Sequence, residues 1–268
     1  MVLPIGDINP TRRTAFVMGL FALINLGVFL LLQAPLTGCD QQLFIYRWGA
    51  IPQELTSWQQ LSDGQLEQLL GDCAVEVPDK SVPVSIVTSM FLHGGLGHLL
   101  GNLIYLVVFG NNVEDRLGHV RFVLFYLLGG AAATFAFALL RPDSITPLVG
   151  ASGGIAAVLG AYLICFPRAR VLTLVPFPLY LVALVLPGVR IRTWLLIVAI
   201  VGLPAWLLLG GWFALQAVSA QSPVGDGVAY EAHVGGFVAG IVLVLLLDAR
   251  RRRRGQTTFH PVRQPRRH

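Results

Sequence analysis

The chain has 268 residues, 55 % hydrophobic and 12 % charged, with a mean hydropathy of +0.70. A soluble domain carries about 25 % charged residues, so the composition excludes an ordinary water-soluble fold and points to the bilayer. The net charge of +5 gathers at the C-terminus, in residues 250–254 and 263–268. Directly behind an apolar run, such a block marks the cytoplasmic side of a membrane and contact with anionic lipid, not nucleic acid.

In chain order, residues 1–13 form a short tail carrying Arg12 and Arg13. Residues 14–32 make a first apolar run of about the 20 residues that a membrane-crossing helix needs. Residues 33–96 form a long polar loop with Asp40, Glu54, Asp63, Glu67, Asp72, Glu76 and Asp79 against Arg47 and Lys80. Within it, Leu36-Thr37-Gly38-Cys39 has the form of a lipoprotein processing site, but cleavage there would discard the first run. Cys39 and Cys73 share this loop and are either bonded or free according to the side it faces. Cys165, in an apolar run, reads as a packing residue.

Further apolar runs follow at 97–110, 120–140, 151–166, 193–219 and 228–247, which gives six expected spans. Residues 171–192 are left over, too short and too rich in proline to cross. With six spans, Arg12, Arg13, Arg116, Arg121, Arg168, Arg170 and the terminal arginines share one side. The expectation is an all-α polytopic membrane protein, a six-helix bundle over 14–248 with both termini cytoplasmic. Residues 33–96 then lie outside, 171–192 form an insertion at the inner interface, and 249–268 form a basic cytoplasmic tail.

Polar residues inside spans are costly and mark function. Here they are His98 and Asn102 in the second run, Ser152 at the start of the fourth and His233 near the start of the sixth, with His93 just ahead of the second. His98 and Asn102, four apart, share a helix face. Ser152, Ala156 and Gly160 form one small-residue face, and His233, Gly236 and Gly240 form another. Two such faces let helices approach closely. The pair of faces would bring a serine to a histidine able to take its proton. Asn102, His98 and the Ser152 N–H could serve the oxyanion. No acid sits at that depth, so the expected unit is a Ser–His dyad with no cofactor. The peptide Gly150-Ala151-Ser152-Gly153-Gly154 fits G-x-S-x-G, but without the strand-to-helix elbow that pattern requires. The sequence has no H-E-x-x-H metal motif and no internal repeat of the transporter kind.

These residues resemble the rhomboid family of intramembrane serine proteases, over about residues 46–247. Gly150-Ala151-Ser152-Gly153 is similar to the family's nucleophile motif, and Ala232-His233 with Gly236 and Gly240 to its general-base motif. His93, His98 and Asn102 fit its H-x4-H-x3-N pattern, in which the second histidine and the asparagine serve the oxyanion. Glu114 and Arg116 match its Glu-x-Arg element, which is structural. The resemblance implies an endopeptidase that cuts membrane proteins within or near a transmembrane helix; a bacterial plasma membrane is the expected location. A catalytically inactive escort or scaffold of membrane proteins is the alternative. Two features depart from the pattern. Ala156 stands where many members have an aromatic residue that stacks on the histidine, so His233 must be oriented from elsewhere. Residues 171–192 are also longer than the usual connection.

Overall fold

The computed structural model describes residues 2–253 except 75–76, 177–178, 180, 182–184, 195–197 and 222–226. The first half contains β1 (Leu3–Ile8), α1 (Phe16–Gly27, continued by a π-helical stretch Val28–Gln33), α2 (Gly38–Trp48), α3 (Pro52–Ser57), α4 (Asp63–Leu70), α5 (Val82–Thr88) and α6 (Leu96–Leu117). The second half contains α7 (His119–Leu140), α8 (Ser152–Cys165), β2 (Arg170–Pro176), β3 (Arg190–Trp194), β4 (Val198–Pro204), α9 (Ala205–Ser219) and α10 (Tyr230–Arg253). Phe16–Gln33, α6, α7 and Tyr230–Leu247 are long and apolar enough to cross a membrane. The apolar helices α8 and α9, with 14 and 15 residues, are shorter. The basic tail beyond Arg253 lies outside the described residues.

Helix α8 is the hub. Every residue from Gly154 to Tyr162 is buried, and α8 packs on α10, α7, α6 and α9. Small residues make this possible. A side chain begun at Gly240 would stand 2.0 Å from the Ala157 carbonyl oxygen, and one at Gly160 would stand 2.2 Å from that of Phe237. The two glycine faces read from the sequence therefore meet backbone to backbone, as small-residue packing allows.

At the opposite end, Glu114 joins α6 to α1. Its carboxylate, 1 % exposed, accepts the Val17 and Met18 N–H groups at 2.9 and 2.6 Å and lies 2.5 Å from His119 Nδ1. A carboxylate there satisfies two of the orphan amides of α1 and suits the positive end of its dipole. Asp115 accepts the Arg12 and Arg13 N–H groups, both at 3.0 Å. Arg116 lies in the last turn of α6.

The segment ahead of α6 is a small folded unit, not a bare loop. Tyr46, Ile51, Leu61 and Leu70 form its core, and Cys39 is bonded to Cys73. A buried ion pair, Lys80 to Glu54 at 2.6 Å, closes it.

The all-α expectation is corrected by a four-stranded antiparallel sheet of order β1-β2-β4-β3. β2 alternates half-buried and buried residues, and β-branched Val171, Thr173 and Val175 fill the buried positions, a pattern that suits a pleated strand. The expected fifth span, 193–219, is likewise helical only from Ala205. Its front half is the end of β3 and β4, and Pro204 sits extended at the N-cap of α9, where a proline can precede a helix but not continue one. The tail 1–13 also contributes β1, which pairs with β2 inside the segment expected to be an interfacial insertion. Because Arg170 pairs with Pro204 and Ala205 N–H donates to the Ala169 carbonyl at 2.9 Å, α9 begins where α8 ends.

Candidate active site

Ser152 is the first residue of α8. The N–H groups of that first turn have no carbonyl one turn back within the helix, so they point outward as free donors at its positive end. Gly150 sets the approach, with a φ of +133° that side-chained residues rarely adopt. A side chain begun there would stand 2.8 Å from His98 Cε1, 2.9 Å from His98 Nε2 and 3.5 Å from Ser152 Oγ. The imidazole of α6 and the hydroxyl of α8 thus face the same point.

The His98 ring is oriented by its other nitrogen. Gly94 N–H donates to Nδ1 at 3.4 Å, which leaves the proton on Nε2, the atom nearer Gly150 and Ser152. One turn along, Asn102 is 8 % exposed, and its Nδ2 has no hydrogen-bond partner among the described residues. A buried amide donor without a partner is rare and calls for a reason. His93 lies outside α6, buried, with its ring 5.2 Å from that of His98 in an edge-on arrangement. Burial, reinforced by His98, pushes its pKa down to about 4, so it stays neutral. Gln33 holds the backbone of His93 at both ends: its Nε2 donates to the carbonyl and its Oε1 accepts the N–H, each at 3.0 Å. The π-helical end of α1 places that amide, as such distortions often do near functional sites.

His233 lies in the first turn of α10. Gly236, three residues on, faces α8: a side chain there would stand 2.4 Å from the Gly153 carbonyl oxygen. Gly153 in turn faces α7, where its side chain would stand 2.7 Å from Ala133 Cβ. The structure therefore brings Ser152, His98, Gly150, Gly153 and the His233 turn of α10 into one neighbourhood, with Asn102 a turn below His98. It shows no hydrogen bond between Ser152 and His233 among the described residues. Such contacts are commonly long in a free enzyme and tighten with substrate. Gly240 serves the α8 crossing, while Glu114 and Arg116 sit at the far end of α6, away from the site.

His233 has neighbours that the sequence reading missed. Its Nδ1 lies 2.7 Å from Gln216 Oε1, and its ring lies 5.9 Å from that of Trp212 at an interplanar angle of 34°. Both come from α9. Tyr230 approaches edge-on at 6.3 Å. Just before His233, Glu231 is held by Arg141, the residue that caps the end of α7, at 2.8 Å to Nε and 2.7 Å to Nη2. The sequence signal for Gln216 is that it is a lone amide within an apolar helix.

Comparison with known protein families matches residues 81–250, well over half the chain, to the Rhomboid domain. The chain belongs to the rhomboid family. It is therefore an integral membrane protein. Among similar rhomboids are RHOMBOID-like protein 6, mitochondrial, of Arabidopsis thaliana, 37 % identical over 78 residues, 29 % of this chain and 25 % of that one. Rhomboid-related protein 2 of Mus musculus is 32 % identical over 122 residues, 45 % of this chain and 38 % of that protein. Rhomboid protein 1, mitochondrial, of Saccharomyces cerevisiae is 31 % identical over 169 residues, 59 % of this chain and 40 % of the relative. The match thus spans between a quarter and two fifths of the length of these rhomboids.

Proposed function

We propose that this rhomboid is an intramembrane serine endopeptidase that cleaves transmembrane segments with Ser152 as nucleophile and His233 as general base. The observation that carries the reading is the seating of the Ser152 turn of α8 between the His98 ring and the Gly236 turn of α10. Ser152 Oγ attacks the scissile carbonyl as its proton passes to His233. The oxyanion meets the His98 Nε2–H, the Asn102 amide and the Ser152 N–H, preplaced donors of the kind worth about 10²–10³ in rate each. Imidazolium then gives its proton to the leaving amine, and water releases the acyl group. A cavity of about 10 Å³ beside Ser152, lined by Ser89, Gly130, Thr134, Gly150 and Ala232 among others, is close to the least space that can hold one water.

The membrane arrangement belongs to the proposal. The chain crosses six times, through Phe16–Gln33, α6, α7, α8, α9 and α10, with both termini cytoplasmic and residues 33–96 outside. At 1.5 Å per residue α8 is about 21 Å long, short of the roughly 30 Å hydrocarbon core, so Ser152 lies in a depression open outward to water. The start of α9 at the end of α8 supports this, because 170–204 then leave and return on one side. A substrate helix must unwind before its carbonyls can be attacked, which favours segments weakened by Gly, Pro or Ser. The matched relatives are eukaryotic, two of them mitochondrial, and do not support a bacterial plasma membrane.

The test is labelling of the purified protein with a fluorophosphonate, together with cleavage of a model transmembrane substrate. Wild type should label and cleave, and Ser152→Ala should do neither. Labelling that persists in Ser152→Ala would sink the assignment. A folded wild type that neither labels nor cleaves would favour the inactive escort.

A further inference from the structure

The reading of His233 as a base leaves open what aims it, since Ala156 supplies no aromatic ring. Resting on that reading, we propose that Gln216 is the positioning residue that holds His233 in the tautomer able to take the proton of Ser152. A neutral imidazole has one N–H and one bare nitrogen, and only the bare one is a base. An amide oxygen accepts and never donates, so the 2.7 Å contact from Gln216 Oε1 to His233 Nδ1 fixes the proton on Nδ1. Nε2 is then the bare atom.

The surroundings hold both side chains in place. Gln216 is 6 % exposed and lies one helical turn after Trp212, so both face α10. Trp212 also packs on Phe237, with ring centroids 6.0 Å apart. The indole restrains the plane of the imidazole and the amide restrains its rotation within that plane. Among the described residues, Glu231 and His98 act electrostatically on the ring, and the phenol of Tyr230 faces it edge-on at 6.3 Å. The carboxylate of Glu231 is engaged by Arg141 at 2.7 and 2.8 Å. A catalytic triad uses a carboxylate for this task. A neutral amide does it without placing a further charge in an apolar interior, at the expense of stabilising the imidazolium less.

The proton path is closed. The Ser152 O–H bond breaks as Oγ bonds the carbonyl carbon and the C=O π pair moves onto the oxyanion; the proton goes to Nε2, and Nδ1–H keeps its hydrogen bond to Gln216 Oε1. Nε2–H then passes to the amine nitrogen as the C–N bond breaks.

The experiment uses the full chain with ¹⁵N-labelled histidine, the His233 signals being identified by their loss in His233→Asn. The ring shifts should show Nδ1 protonated and Nε2 bare, with both tautomers populated in Gln216→Met. In cleavage assays Gln216→Met should lose about tenfold in kcat with little change in KM, the worth of one hydrogen bond. Gln216→Glu should recover turnover relative to Gln216→Met and move the acid limb of the kcat–pH profile upward by about one unit or more, because an adjacent anion favours imidazolium. A merely structural glutamine would not move that limb. A proton on Nε2 in the wild type overturns the proposal, as does a Gln216→Met enzyme with unchanged turnover and profile. If Gln216→Met fails to fold, the isosteric Gln216→Glu decides the kinetic arm. A wild type that cleaves nothing brings down the protease reading, while the tautomer still decides the role of Gln216.

Discussion

Two buried polar clusters, one in the unit ahead of α6 and one at the head of α6 and α8, differ in what faces their buried charges and donors. In the first, Glu54 and Lys80 are paired at 2.6 Å with both side chains 0 % exposed. The ammonium lies 4.8 Å over the Tyr46 ring, and the second Glu54 oxygen accepts the Leu61 N–H at 3.2 Å. Burial lowers the Lys80 pKa against the pull of Glu54, and burial with Glu54 raises that of Tyr46 to about 12. In the second cluster Asn102 is 8 % exposed, its Nδ2 has no hydrogen-bond partner among the described residues, and the first turn of α8 has N–H groups with no carbonyl one turn back within the helix. A buried donor left unmatched costs stability that a matched one does not. The first cluster maintains a shape; on the proposed mechanism the second keeps donors in reserve for a charge that exists only during reaction.

The contrast breaks most sharply at the dyad. Ser152→Ala and His233→Ala should each abolish cleavage with expression and melting temperature intact, and the double variant should be no worse than either, since residues acting as one unit are not additive. Asn102→Ala should lower turnover by roughly 10²–10³ while leaving thermal stability unchanged or slightly raised. Near-wild-type turnover would place the oxyanion elsewhere. Lys80→Met should do the reverse. It strands the Glu54 carboxylate and should cost about 3–5 kcal/mol in denaturation, with the rate per folded molecule unaltered. A drop in that rate would tie the two clusters together.

The smallest effect expected is at Asp7, where burial is the main cause of a pKa raised from 3.8 to about 6. Tyr162 O–H and Asn112 Nδ2 bond its carboxyl at 2.6 and 2.8 Å. The folded state keeps this proton longer than the unfolded chain, so the contribution is complete below pH 4 and lost as pH rises through about 6. The melting temperature should fall across that window, and Asp7→Asn should flatten the change.

The sequence displayed the helices and the candidate site groups because hydropathy and spacing act locally: His98 with Asn102, and His233 with Gly236 and Gly240, are turns of single helices. It concealed the sheet because a short apolar run such as 198–204 looks the same as part of a buried helix. The β-branched alternation at Val171, Thr173 and Val175 was the available clue. The unit built on Tyr46 and Ile51 has no period to read, and the clamp of Gln33 on His93 joins residues 60 apart through a π-helical turn. Gln216 stood alone in its helix, and only the three-dimensional approach of α9 to α10 gives it a partner.

The pairing of β1 with β2 also sets a timetable. Leu3 pairs with Leu174, so at roughly 5–20 residues per second the first strand waits on the order of ten to thirty seconds on the ribosome for its neighbour. β2 is flanked by β1 and β4. A chain lacking β1 would therefore finish with one row of β2 backbone groups open, an invitation for another copy to pair along it. The opening strand thus acts as a plug that the nascent chain carries in advance, and self-association of a β1-deleted chain would be the sign that it is missing.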